Sequence, residues 1–155
     1  SYGVIAGIPV PIDKPGNTIF LDGTPFAYGG AGLVSTPADY DRFLRMIIGK
    51  GMAGGRRVMS ESVVAAGTSD LLPPGVDTKG TLADGSGFGA GGLVGLGTDA
   101  GTFGWSGAAG TLGFVNTRIG LRAGLYVQFL PPDSWPLQRE FQAAASADAL
   151  GRMKV

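Results

Sequence analysis

The sequence contains neither cysteine nor histidine. Without cysteine, the chain can form no disulfide, no thiolate zinc site and no cysteine nucleophile. Without histidine, it cannot supply a serine–histidine–aspartate triad or the histidine motifs that hold metal ions. Acid–base chemistry therefore depends on its Asp, Glu, Lys and Tyr side chains, or on residues from another segment or chain.

An excess of charge of one sign is also missing. Twelve basic and twelve acidic residues balance, and no basic stripe favours nucleic acid as a partner. No apolar run approaches the roughly 20 residues of a membrane-spanning helix. The carboxylates are scattered among turns and helix starts, and no pair has the spacing of a metal site or a glycosidase. We therefore expect no nucleic-acid partner, no membrane span and no bound metal.

Glycine and proline are abundant, with 29 and 10 of the 155 residues. They are interspersed with Val, Leu, Ile and Phe, which favours a loop-rich but tightly packed globular domain over a low-complexity segment. A chain of this length is sufficient for one domain with a hydrophobic core.

Three helices are predicted from capping residues and apolar spacing. Thr36 is a good N-cap, Pro37 suits the first helical position and Asp39 completes a capping-box-like pair, so a helix is predicted over 37–49. Ser60 caps a second helix over 61–67. Asp133 or Ser134 caps a third, with Pro136 in its first turn. The first helix repeats its apolar residues at the helical period: Tyr40, Phe43, Leu44, Ile47 and Ile48.

The second half of the chain has the pattern of strands. We predict strands over 88–94, 101–106, 111–117 and 121–129, the last with strict apolar alternation. Short connections join the last three into an antiparallel meander. Helices before and after these strands predict an α+β fold, in which helices cover an antiparallel sheet. The predicted core includes Phe43, Ile47, Leu125 and Phe129.

The remaining segments carry weaker patterns. Residues 1–28 are predicted to form an extended, irregular lead-in, because their prolines block a helix. Residues 68–86 are predicted to be loop, and Arg56 and Arg57 to lie on an exposed turn. Residues 151–155 are predicted to form a tail.

A glycine-rich run over residues 87–92 formally matches the dinucleotide-binding motif G-x-G-x-x-G. That motif requires a strand, then the glycines, then a helix, and here the glycines fall in strand-like sequence with no helix after them. Close packing of a strand is the favoured interpretation. Nucleotide binding remains the weaker alternative.

The run Gly104-Trp105-Ser106-Gly107-Ala108 nearly matches the nucleophile-elbow motif G-x-S-x-G. The last position is alanine, the chain has no histidine, and Ser106 leads into more strand-like sequence instead of a helix. Ser106 is therefore a poor candidate for a nucleophile. A packed strand residue is the plainest interpretation of Trp105.

Three segments together resemble the serine β-lactamase and penicillin-binding-protein superfamily, and within it the class C-like esterases of family VIII. Residues 29–43 (GGAGLVSTPADYDRF) are similar to the family's GGGGLxST…DxxRF segment. Residues 88–91 (FGAG) resemble its GxGxG strand, and residues 103–111 (FGWSGAAGT) resemble its GWGGAAGT strand. The resemblance covers residues 29–150, in the family's order.

The resemblance implies a β-lactamase/transpeptidase-like fold and a serine hydrolase that acts through an acyl-enzyme, without metal or cofactor. In that family the nucleophile lies in S-x-x-K, a tyrosine in Y-x-N or Y-x-S moves protons, and the third motif is K-T-G, W-x-G or H-x-G. Trp105, Ser106 and Gly107 occupy the third motif here. Ala108 would then supply a backbone N–H to the oxyanion hole.

The first two motifs are absent: no serine is followed by lysine at the third position, and neither tyrosine motif occurs. The resemblance therefore implies the C-terminal part of such an enzyme, over 29–150. The nucleophile and the Lys and Tyr bases would belong to the N-terminal half, as a separate chain or a missing segment. Such a chain alone should be inactive, and should aggregate or bind that half.

Trp105 stands where the lactamases have a lysine, so the cation that pairs with a substrate carboxylate is lost. This favours small esters or amides over penicillin-type substrates. The alternative is a degenerate relative without catalysis, which keeps the fold as a binding or structural module.

Overall fold

The structure, a computed structural model, describes residues 1–18, 21, 29–30 and 33–153. The three α-helices of this part are α1 (Pro37–Ile48), α2 (Glu61–Gly67) and α3 (Leu137–Arg152). Its strands, in chain order, are β1 (Tyr2–Ile5), β2 (Ile8–Pro11), β3 (Met52–Ala53), β4 (Arg56–Arg57), β5 (Gly87–Phe88), β6 (Leu93–Val94), β7 (Thr102–Ser106), β8 (Leu112–Asn116), β9 (Leu121–Leu125) and β10 (Phe129–Leu130).

An antiparallel sheet of five strands, in the order β5-β6-β7-β8-β9, forms the centre of the fold. The predicted meander over β7, β8 and β9 is confirmed. The predicted single strand 88–94 is wrong, because the chain turns back on itself between β5 and β6. Gly91 takes a φ of +81° in that turn, a conformation that side chains disfavour.

The predicted strand 121–129 is also interrupted. β9 ends at Leu125, and Phe129 begins β10, which pairs in parallel with β1 in a separate three-stranded sheet. Apolar alternation continues through the break, so the sequence pattern does not reveal it. The change of partner does: the Phe129 N–H donates to Ala109 O (3.0 Å) and the Tyr2 N–H to Gln128 O (3.0 Å).

The lead-in is more regular than predicted. β1 and β2 form an antiparallel hairpin around Ala6 and Gly7, whose φ angles of 49° and 78° suit a two-residue hairpin turn. Residues 19–20 and 22–28 of the predicted lead-in lie outside the described residues. Residues 68–86 form turns and irregular loop, as predicted. Arg56 and Arg57 are exposed, as predicted, but they form β4.

Local capping explains the first two helices. Thr36 Oγ1 accepts a hydrogen bond from the Asp39 N–H (3.1 Å), and Ser60 Oγ accepts one from the Val63 N–H (3.2 Å). Both predicted starts, and the predicted range 61–67, are confirmed.

The predicted start of the third helix is wrong. Asp133 and Ser134 lie in a short 3-10 helix, and α3 begins at Leu137 after Pro136. α3 continues through Arg152, so the predicted tail begins as helix. Residues 154–155 lie outside the described part.

The main hydrophobic core lies between the sheet and α1. Val115 of β8 is fully buried against Leu44 and Ile47 of α1 and Val64 of α2. Of the four predicted core residues, Ile47 and Phe129 are buried, and Leu125 is half-buried. The prediction that Phe43 belongs to the core is wrong, because this residue is 44% exposed.

Phe43 lies at the margin of the helical face, with its ring 5.7 Å from that of Tyr40. Met46, which the apolar spacing omitted, is buried instead, because α2 and β3 pack around the end of α1.

The opposite face of the sheet carries α3. Phe114 and Leu112 alternate with Val115 along β8, so they point away from α1. They line a cavity together with Gln138 and Gln142 of α3. Helices therefore lie on both faces of the antiparallel sheet, in a fold that mixes helices and sheets.

One carboxylate ties α1 to the last strand of the sheet. Asp41 accepts hydrogen bonds from Nε of Arg122 on β9 and Nε of Arg45 on α1, both at 2.7 Å. These bonds, the Arg122 bond first, lower the pKa of Asp41 below its ordinary value of 3.8.

We expect Leu44→Ala to lower the free energy of unfolding by about 2–5 kcal/mol, because it leaves a cavity in a tightly packed core. Leu82 is 82% exposed, so Leu82→Ala is the matched control and should stay within about 0.5 kcal/mol. Urea denaturation measures both. Equal losses would contradict the assignment of the core.

We expect Asp41→Asn to destabilise the protein at pH 7, since it removes the carboxylate that both arginines hold. A lowered pKa in the folded state means that this stabilisation is present above pH 3.8 and is lost as the pH falls through the folded pKa. The difference between wild type and variant should therefore shrink over that range, as followed by urea denaturation. Asp133→Asn, which removes no ion pair of the described residues, should show no such difference at pH 7.

Candidate active site

The residues predicted to form the third motif, Trp105, Ser106 and Gly107, lie at the end of β7 and just after it. β6 pairs only with Phe103 and Gly104 of β7, so Trp105 and Ser106 extend beyond the end of β6. On the other side they stay paired with Gly113 and Leu112 of β8. One edge of β7 is therefore open at these two residues, within the part of the chain that the structure describes.

The direction of the backbone groups at this edge follows from one hydrogen bond. The Gly95 N–H donates to Thr102 O (2.9 Å), so residue 102 presents its backbone groups toward the β6 side. Backbone groups alternate along an antiparallel strand. Ser106, four residues on, therefore presents its N–H and C=O at the open edge.

A tight turn follows Ser106. The Gly110 N–H donates to Gly107 O (3.0 Å), and the Gly107 N–H donates to Thr111 O (2.7 Å). Gly110 has a φ of +82°, which glycine adopts without strain. A Cβ on Gly107 would overlap Thr111 Oγ1. Both glycines are therefore required by the geometry of the turn.

Ala108 is the first central residue of this turn, and it is exposed. Its N–H donates to no group in the described part of the chain. An exposed backbone donor that the turn itself does not use is available to a ligand.

The side chain of Trp105 lies at the open end of β7, beside the ring of Phe88. Trp105 follows Phe103 by two residues, so both start from the same face of the strand. Phe103 packs against the α1 core. The indole is 36% exposed and meets the ring of Phe88 edge-on, with centroids 5.7 Å apart. Ser106 belongs to the opposite face by the same alternation.

A cavity of about 420 Å³ opens between this end of β7 and the start of α1. Its lining combines hydroxyl, amide and aromatic groups, among them Thr36, Tyr40, Trp105, Gly107, Tyr126 and Gln128. The rings of Tyr40 and Tyr126 meet at 80°, with centroids 6.4 Å apart. A Cβ on Gly113 would overlap the Tyr40 ring, so glycine there is what admits this side chain.

Burial raises the pKa of Tyr40, and burial followed by the charges of Tyr40 and Asp41 raises the pKa of Tyr126. Both phenols therefore stay neutral at physiological pH and act as hydrogen-bonding groups. Sequence reasoning missed both as cavity residues: Tyr40 was assigned to helix packing, and Tyr126 lies in the interrupted strand.

A second cavity, of about 300 Å³, lies on the α3 side of the sheet. Gln138, in the first turn of α3, is one of its lining residues. Its Nε2 donates to Thr111 O (2.8 Å) and to Gly107 O (3.2 Å). The sequence carried no signal for this contact.

Close packing, as predicted, explains Gly87, Gly89 and Gly92, whereas Gly91 serves the turn between β5 and β6. The Phe103 ring would lie 3.2 Å from a Cβ on Gly89 and 3.0 Å from one on Gly92. The segment forms β5 and the turn into β6, and its glycines lead into a strand instead of an α-helix, so it lacks the geometry of a dinucleotide site. Among the described residues, no group of acidic side chains is placed to hold a metal ion. The helices of this part of the chain include none that could span a lipid bilayer.

The family model for β-lactamases, "Beta-lactamase", matches residues 5–147, which is most of the chain. The chain belongs to the β-lactamase family. The predicted superfamily is thereby confirmed. Its narrower assignment to class C-like, family VIII esterases stays a prediction.

Comparison with solved structures supports the β-lactamase fold. The chain is similar to a crystal structure named "putative beta-lactamase from Bacteroides dorei DSM 17855", with a TM-score of 0.56 and 24% sequence identity. The match covers 75% of this chain and 41% of the other, so the chain spans less than half the length of that β-lactamase-fold protein. None of the curated proteins matches the chain.

We expect Gly110→Ala to destabilise this member of the β-lactamase family more than Gly120→Ala. Both glycines have positive φ, but a Cβ on Gly110 would lie 2.7 Å from Phe129 Cε1, whereas one on Gly120 meets nothing within 4 Å. The extra loss in the free energy of unfolding should be about 1–3 kcal/mol, the usual cost of overpacking. Urea denaturation compares the two; equal losses would show that Phe129 does not pack against the turn.

Proposed function

We propose that this chain forms one wall of a serine hydrolase active site that cleaves ester or amide bonds through an acyl-enzyme. The observation that carries the proposal is the exposed Ala108 N–H, which has no partner among the described residues and follows the open end of β7. Membership of the β-lactamase family supports it.

In this reaction a serine Oγ adds to the substrate carbonyl carbon, and the carbonyl oxygen becomes an oxyanion. A base takes the serine proton and gives it to the leaving group, so the tetrahedral intermediate collapses to the acyl-serine and a neutral alcohol or amine. Water then hydrolyses the acyl-serine, which releases the acid and regenerates the serine. An N–H about 3 Å from the oxyanion stabilises this intermediate more than the ground state. Ala108 supplies that N–H in the proposed site.

Trp105 and Ser106 form the adjoining wall. The partly exposed indole offers an apolar surface for the acyl or alcohol group, and it carries no charge to pair with a substrate carboxylate. The proposed substrates are therefore small esters or amides without a carboxylate near the scissile bond. The Ser106 backbone at the open edge can hydrogen-bond an extended substrate.

The nucleophile and its bases are proposed to come from an N-terminal segment or a separate chain. No serine of this sequence stands in S-x-x-K. The outer edge of β9 supports the proposal, because β9 pairs only with β8 in the described residues and an unpaired edge accepts another strand.

A second candidate function is a binding module without catalysis. The missing S-x-x-K motif favours it, since the 420 Å³ cavity can hold a small molecule without a nucleophile. The two candidates differ in whether the complete protein acylates a serine.

Fluorophosphonate labelling of the complete polypeptide, with peptide mass mapping, decides between them. The hydrolase predicts one labelled serine outside residues 1–155. A label on Ser106 would contradict the assignment of the third motif. If an intact, folded protein has no labelled serine, the hydrolase proposal is refuted and the binding module is favoured.

We expect Ala108→Pro to lower kcat of the active protein by about 10²–10³-fold, the usual effect of losing one oxyanion donor. Proline suits the first central position of a β-turn and removes only an N–H that the turn does not use. Ala108→Ser keeps the N–H and is the control, expected within a few-fold of wild type. Steady-state hydrolysis of p-nitrophenyl butyrate measures both, and an unchanged kcat in the proline variant would refute the role of Ala108.

A further inference from the structure

The turn that carries Ala108 is held by hydrogen bonds between its own residues and by hydrogen bonds from distant parts of the chain. Gln138 lies 31 residues from Gly107 and 27 from Thr111 in sequence, yet its Nε2 hydrogen-bonds the carbonyl oxygens of both. These two residues are the first and last of the turn. The Phe129 N–H holds Ala109 O from a further direction.

The chemistry of the side chain fits this double contact. A glutamine amide nitrogen carries two hydrogens, one for each carbonyl oxygen. Neither a carboxylate nor a thioether of the same length can donate to them. Gln138 is half-buried, so its loss would leave two carbonyl groups without these partners in a partly desolvated place.

We propose that Gln138 is a positioning residue, which fixes the turn so that the Ala108 N–H points at the oxyanion. The inference rests on the proposed hydrolase function. Gln138 acts from the opposite face of the sheet and does not touch the substrate. Because a donor stabilises an oxyanion only when distance and direction are right, small shifts of this turn reduce the rate.

The central test compares Gln138→Met with Gln142→Met in the complete protein. Gln142 lies one turn further along α3, and its side chain makes no hydrogen bond within the described residues. Gln138→Met should lower kcat for p-nitrophenyl butyrate by about 10–100-fold with KM nearly unchanged, since a misplacement of about 1 Å can cost 10²-fold. Gln142→Met should stay within about twofold of wild type.

Two further readouts separate positioning from general damage. Inhibition by phenylboronic acid, a mimic of the tetrahedral intermediate, should weaken by the same factor as kcat falls. Gln138→Glu should be as impaired as Gln138→Met at pH 7, and its kcat relative to wild type should rise toward pH 5, because a protonated carboxyl regains one donor. Thermal unfolding shows that each variant is folded.

Hydrogen exchange tests the turn independently of catalysis. The Gly107 and Gly110 amides donate within the turn, and Gln138→Met should speed their exchange about tenfold as the turn loosens. If the fluorophosphonate labels no serine of the wild-type protein, the proposed hydrolase function is refuted. The exchange rates still decide whether Gln138 holds the turn. Unchanged exchange in Gln138→Met would overturn the inference. If the wild type is active, a folded Gln138→Met variant with unchanged kcat would also overturn it, and so would an equal loss of kcat in Gln142→Met.

Discussion

The pairing of β7 with β8 is the interaction on which the rest of the structure depends. It places Trp105 and Ser106 at the end of the sheet and closes the turn after them through the Gly107–Thr111 hydrogen bond. The same pairing sets the two faces of β8: Val115 enters the core under α1, and Phe114 points toward α3. A shift of one residue would exchange these faces, so register, core and candidate site are fixed together.

Glycine residues allow β7 and β8 to pack closely against each other and against α1. Gly104 lies against Phe114 and the Gly113 carbonyl, and Gly113 lies against the ring of Tyr40. A side chain at either position would push apart the groups that shape the site. The density of glycine in this part of the sequence is thus a packing requirement of the sheet, and Gly110 adds a requirement of backbone conformation.

In the proposed reaction, this chain binds the substrate and stabilises the oxyanion, and another segment or chain supplies the nucleophile and its bases. The end of β7 and its turn contribute an exposed N–H and an apolar indole, and α1 and the segment after β9 contribute two neutral phenols, none of which has to gain or lose a proton. Proton transfer and nucleophilic attack are the steps that this chain has no suitable motif to perform. The open end of β7 could receive the substrate, and the outer edge of β9 could pair with a further strand.

The sequence alone determined the features that depend on neighbours along the chain: the capped starts of α1 and α2, the antiparallel meander, the absence of Cys and His chemistry, and the family resemblance. It could not locate the turn between β5 and β6 or the break after Leu125, because glycine and apolar residues suit both a continuous strand and an interrupted one. Only the tertiary structure brought Tyr126 against Tyr40, Arg122 to Asp41, and Gln138 to the Ala108 turn. Those contacts join residues 27 to 86 positions apart, and such contacts follow from how the whole sheet packs between its helices.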